Sequence, residues 1–339
     1  MKIQKLCGAA LLATTVTACA VDAGELATTE QAVVQTPEVL ATGQDLPLSV
    51  VVGATKVYWV NAPNFGEDPA SILSTPKAGG AGGIVVESDI PNMGTLRLDS
   101  ERLYWPMGAV EPGVGGVQSR RKGHGPVTDL VQNRRVFHIA LAGDYIYLAT
   151  PDDGGQIQRI AKTGGALTTL AKDVGPGLDN IPFIAVSGDR VVFSQSTFDD
   201  ECDGRVRSVP VTGGPITTLD SGICNLFALV ADGRSVYWAE YDSEINTGRV
   251  MRVKLDAGGG PTVLDTVAAQ PMFLARDGHH VYYTTWDGAN GEVRRVAKRS
   301  GASEALATEQ LLPFSIDVDP THVYWTTLFD GEVKRVAKQ

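Results

Sequence analysis

Fourteen carboxylates and no lysine or arginine fall in seven short loops of this chain: 61–71, 106–116, 151–155, 196–204, 240–248, 286–291 and 328–331. The densest runs are Asp199-Asp200-Glu201-Cys202-Asp203 and Glu240-Tyr241-Asp242-Ser243-Glu244, followed by Asp152-Asp153. Clustered carboxylates focus a negative potential, which suits a cation, a cationic peptide or a basic protein patch. Calcium takes oxygen ligands of this kind, although Asp199–Gly204 lacks the alternating spacing of an EF-type loop. No other cofactor is expected. Two carboxylates 5–9 Å apart would also serve glycoside hydrolysis, so a polysaccharide lyase or hydrolase stands as the alternative to a binding protein. The chain has five His and no H-E-x-x-H, G-x-S-x-G or phosphate-cradling loop, and the expectation is therefore binding without catalysis.

With Cys7 and Cys19 at the N-terminus set aside, Cys202 and Cys224 are the two cysteines that remain. In an exported protein such a pair is expected to bond, and with no nearby His they do not make a zinc site. Asn92, Asn180, Asn225 and Gln270 precede apolar strands, where they could offer hydrogen bonds to a ligand at a channel mouth.

These groups are positioned by a repeat. An aromatic residue recurs at Trp59, Trp105, Tyr147, Phe193, Trp238, Tyr283 and Trp325, at intervals of 46, 42, 46, 45, 45 and 42 residues. Each unit alternates as four strands, with Gly-rich turns supplied by the chain's 38 glycines. The period and strand count predict an all-β fold, a seven-bladed β-propeller of four-stranded blades. The last unit stops at Gln339 without its fourth strand, and Thr36–Ala41 matches that strand. The N-terminal strand is thus expected to complete the last blade and remove its open edge. The acidic loops join strands two and three. The turns on the opposite face are led by Lys77, Lys122, Lys162, Lys254, Lys298 and Lys338.

His322-Val323-Tyr324-Trp325-Thr326-Thr327, followed by Asp330-Gly331-Glu332-Val333, resembles the YWTD repeat of LDL-receptor-type propellers. Thr327 replaces the motif's Asp, and there are seven units where that family has six. Over residues 36–339 the chain looks closer to bacterial secreted propellers of the TolB-like type. The resemblance implies architecture and leaves the chemistry open.

The first residues read as an address. Lys2 and Lys5 precede an apolar run, Leu6–Val16, too short to span a bilayer, which ends in Val16-Thr17-Ala18-Cys19. That ending resembles a bacterial lipobox, which implies a signal peptide over 1–18, lipidation of Cys19, and attachment to a bacterial membrane at the outer membrane or cell surface. Ordinary cleavage fits the same residues and would give a secreted or periplasmic soluble protein. Residues 19–35 read as a flexible tether and 36–339 as the propeller. The net charge is −10 and becomes −12 once the two leader lysines are removed. This argues against nucleic acid and against charge-driven binding to an anionic membrane. The expected partner is an envelope protein or a cationic or carbohydrate ligand, bound by a monomer that touches the membrane only through its lipid.

Overall fold

The computed structural model describes residues 34–63, 68–87, 94–107, 115–151, 154–175, 183–195, 202–255 and 259–338. They form seven antiparallel four-stranded sheets, here numbered blades 1 to 7: 47–87, 97–132, 139–171, 184–223, 226–267, 270–310 and 313–337. In each of the first six blades the strands run in chain order from the centre outwards. In blade 7 the outermost strand is Glu38–Ala41, which pairs with Glu332–Ala337 through Glu38 opposite Arg335 and Val39 opposite Lys334. The Arg335 guanidinium grips the Glu38 carboxylate at 2.6 Å, and Gln35 Nε2 donates to the Ala337 carbonyl at 3.1 Å. The predicted closure of the ring by the N-terminal strand is present.

The blades hold together through period-two alternation. In the second strand of blade 7, Val323 and Trp325 face blade 6, while Tyr324 faces blade 1. The same division recurs around the ring, giving seven apolar clusters that each span one blade junction. In blade 3 the expected anchor is displaced by one residue, because Leu148 faces back to blade 2 and Tyr147 faces blade 4. All seven aromatic anchors are buried in them. Each indole N–H also finds an acceptor: Trp59 on Gln44, Trp105 on Gln118, Trp238 on Glu240 and Trp325 on Gln310. A buried indole needs such a partner. Close approach explains the Gly that opens third strands. A Cβ on Gly291 would lie 2.2 Å from Pro313 Cδ, and one on Gly248 would lie 2.1 Å from the Ala269 carbonyl oxygen.

The tyrosines facing the next blade carry a polar device that links neighbours. At four junctions the turn after the first strand begins with Asp99, Asp232, Asp277 or Asp319. Each carboxylate accepts the hydroxyl of Tyr104, Tyr237, Tyr282 or Tyr324, at 2.7–3.0 Å. It also receives a lysine from the following blade: Lys162 to Asp99 at 3.1 Å, Lys298 to Asp232 at 2.8 Å, Lys338 to Asp277 at 2.9 Å and Lys77 to Asp319 at 2.6 Å. Elsewhere the Asp is missing: blades 1 and 2 keep Tyr58 and Lys122, but Gly53 stands at the Asp position. Blades 3 and 4 meet through Ala142, Tyr147 and Val211, and blades 4 and 5 through Ser187, Val192 and Leu255.

One expectation is corrected here. Lys254 does not lead its turn: Leu255 holds that position, its N–H on the Arg234 carbonyl as Lys298 N–H is on the His279 carbonyl. Blade 4 has no Asp for a lysine to meet, and Lys254 is exposed.

Burial alone would raise the pKa of these aspartates, but backbone N–H groups and the ammonium outweigh it, lowering all four carboxyls, Asp99 to about 2. A carboxyl depressed in the folded state stabilises the fold above its unfolded pKa, about 3.9, and loses that contribution as pH falls through the folded value. Thermal melts should therefore show stability falling as pH drops from about 4 to about 2. Lys298→Met should cost about 2 kcal/mol at neutral pH by denaturant titration. Lys254→Met, at the exposed position, should cost far less.

Candidate functional site

Two regions of the ring present groups able to meet a ligand: the loops between second and third strands, and the central cavity. In the loops, much of the acidity is engaged in the fold. Glu240 is buried, accepting the Trp238 indole N–H at 3.0 Å and Arg249 Nη1 at 3.3 Å. Burial raises its pKa despite these bonds. It fills the acceptor role that Gln takes beside the other three tryptophans. Asp242 closes its own turn by accepting the N–H groups of Glu244 and Ile245. Asp287 does the same with Ala289 and Asn290, and those bonds lower its pKa. Asp330 and Glu332 share Lys334, and Glu292 pairs with Arg294. Asp242, Glu244 and Asp287 form no ion pair among the described residues.

Cys202 and Cys224 are bonded to each other. The bridge joins the end of one acidic run, next to Asp203, to the segment leaving the fourth strand of blade 4. Asn225, at φ 42°, is tied to Tyr241 by its backbone carbonyl and by its side-chain amide at 3.3 Å. Gln270 opens the first strand of blade 6, opposite Trp286. Cys19, Asn92, Asp152, Asp153, Asn180, Asp199, Asp200 and Glu201 lie outside the described residues. Among the described residues, no group of three or more His, Cys, Asp or Glu is placed to hold a metal ion.

The same loops carry apolar side chains that sequence reading passed over. Phe329 is 65% exposed and packs edge-on against Trp286 of the neighbouring blade, ring centroids 5.7 Å apart. Ile245, in the blade 5 loop, is 59% exposed. Their signal was an aromatic or branched apolar residue inside an otherwise polar loop.

The central cavity, about 460 Å³, is lined by first strands. Phe183 and Phe273 border it, and His138 packs against Phe183 at a tilt of 46° with ring centroids 4.4 Å apart. His138 Nδ1 lies 3.1 Å from Thr95 Oγ1. Arg97, Arg276 and Asp317 border the same space. Burial, reinforced by the Arg97 charge, lowers the His138 pKa to about 3 and leaves the ring neutral. Asp317 accepts the Val52 and Val318 N–H groups, each at 2.8 Å, yet burial keeps its pKa above the usual value. Aligned on the repeat, the position two before the turn reads Val51, Arg97, Ala140, Ala185, Val230, Ala275 and Asp317. Two charges in an apolar column were the available signal.

No protein-family model and no curated protein matches the sequence. Solved structures do match. A catalytically inactive virginiamycin B lyase from Staphylococcus aureus, with quinupristin, superposes with TM-score 0.64 at 14% identity, covering 90% of this chain and 99% of that one. Hydrazine synthase of Kuenenia stuttgartiensis gives 0.65 at 15% identity, over 88% and 97%. The propeller of the Trilobed protease from Pyrococcus furiosus gives 0.60 at 10% identity, over 86% and 97%. The likeness is one of fold. That protease propeller has an open velcro topology, whereas Glu38–Ala41 closes the ring here.

Two measurements check this geometry. Replacing both Cys202 and Cys224 by Ser frees a loop closed over a separation of 22 residues, and should cost about 3 kcal/mol by denaturant titration. An unfolded His takes a proton below about pH 6.5, whereas His138 takes its own only near pH 3. The unfolded state therefore gains protons first, and stability falls as pH drops between those values. His138→Asn should flatten that slope in melts run from about pH 7 to about pH 4.

Proposed function

We propose that this protein is a non-catalytic binding module of the cell envelope, held to the membrane through lipidated Cys19. It would capture a basic partner segment bearing apolar side chains on the loops of blades 5 to 7. The observation that carries this reading is the contact between half-buried Trp286 and exposed Phe329, in loops that hold Asp287 and Asp330, on the same face as the blade 5 loop with Asp242 and Glu244. A partly exposed aromatic contact on a face that also carries carboxylates suits a ligand that is cationic and partly apolar. The Cys202–Cys224 bond favours an oxidising compartment and so supports export. The carboxylates of Glu240, Asp330 and Glu292 already meet cations of the fold, which favours recognition over acid–base work. A lyase or hydrolase working with carboxylates remains the second reading. It would draw on Asp317, the one carboxylate among the described residues that line the cavity.

Binding of a synthetic Lys/Leu peptide, followed by fluorescence anisotropy, tests the proposal. Trp286→Ala with Phe329→Ala should weaken it at every salt concentration. Asp242→Asn with Glu244→Gln and Asp287→Asn should weaken it mainly at low salt, because exposed charges are screened. Equal binding of an acidic peptide would reject the site. Mass spectrometry of the mature N-terminus tests the anchor separately, and an unacylated terminus rejects it.

A further inference from the structure

We infer that the central cavity is a binding site for a small carboxylate with a flat apolar body. It is distinct from the loop surface and does not depend on it. The cavity's volume, about 460 Å³, lies in the range of small-molecule sites. Two guanidiniums border it from different parts of the ring: Arg97 on blade 2 and Arg276 on blade 6. Each makes one hydrogen bond among the described residues, Arg97 Nη1 to the Leu96 carbonyl at 2.9 Å and Arg276 Nε to the Ala231 carbonyl at 2.6 Å. A guanidinium has five N–H donors, so most of each remains for a ligand, and its fork matches a carboxylate.

The other charges define the ligand's sign. His138 is neutral, and Asp317 is the one carboxylate among the described lining, with both oxygens already accepting backbone N–H groups. The lining thus carries two cations against one anion, inside a chain of net charge −10. A small anion gains there what the rest of the molecule denies it.

The ligand's body follows from the order of residues along the first strands. Arg97 and Arg276 stand two and one residues before the turn, while Phe183, Phe273 and His138 stand four before it. The cationic end of the cavity is therefore nearer the turn face, and the aromatic end nearer the loops. A flat apolar body fits against the rings, with its carboxylate directed to the guanidiniums.

Isothermal titration of the full-length chain with phenylacetate tests the assignment, with benzoate, phenyl phosphate and benzylamine in parallel. Saturable binding of phenylacetate with one ligand per chain, and none of benzylamine, is expected. Arg97→Gln and Arg276→Gln should each weaken binding about tenfold or more. Phe273→Leu should weaken it without changing the charge preference. Circular dichroism melts identify any variant that fails to fold, in which case the other arginine and Phe273→Leu carry the test. No saturable binding of the three anions up to about 10 mM overturns the site. So does undiminished binding in both folded arginine variants, or binding of benzylamine as tight as that of phenylacetate.

Discussion

A ring of sheets stands only if every sheet buries both faces against its neighbours, the last against the first. Each blade here meets that constraint with two side chains of opposite direction on its second strand, one turned back and one turned forward. The one turned back is an aromatic anchor in every blade but blade 3, where it is Leu148. The seventh junction is built like the other six because Glu38–Ala41 supplies the missing strand. Leu40 from that strand joins the same cluster as Trp59 and Tyr324. Chain ends that are far apart in sequence thereby share one sheet, and the closing contacts include Lys77–Asp319 across the seam.

The architecture was legible because its signals are local and repeated seven times. Alternation, turn residues and the anchor spacing each occur within one unit, so a self-comparison finds them. The Cys202–Cys224 bond was legible from the cysteine count alone. The Asp–Tyr–Lys device was not, because its lysine belongs to the next repeat and its partners are joined only by the ring. Lys254 shows the limit of local reading. It stands one residue from the turn-leading position, and in a strand a one-residue displacement changes the face a side chain takes. The acidic loops were found, yet charge counting could not separate Glu240, committed to an indole, from Glu244, exposed at a turn.

The propeller divides its surface into zones that the sequence presents interleaved. Loop residues come from the ends of second strands, cavity residues from first strands, and the interblade belt from the turns between them. Each can vary without altering the anchors. This explains how chains matching so closely in outline, among them a lyase, a hydrazine synthase and part of a protease, share little identity. Backbone similarity therefore carries the scaffold across, and the chemistry has to be read from the side chains in each zone.

The lysines of the belt also decide the molecule's outward field. Lys77, Lys162, Lys298 and Lys338 each meet an aspartate of the preceding blade, so their charge is cancelled where it stands. Among the described loop residues on the other face, Asp242, Glu244 and Asp287 carry carboxylates that form no ion pair. The ring consequently has an axial dipole, negative at the loops. Within a Debye length of any anionic surface, about 8 Å at physiological ionic strength, that dipole produces a torque. It turns the neutralised face towards the surface and presents the loops to the solution.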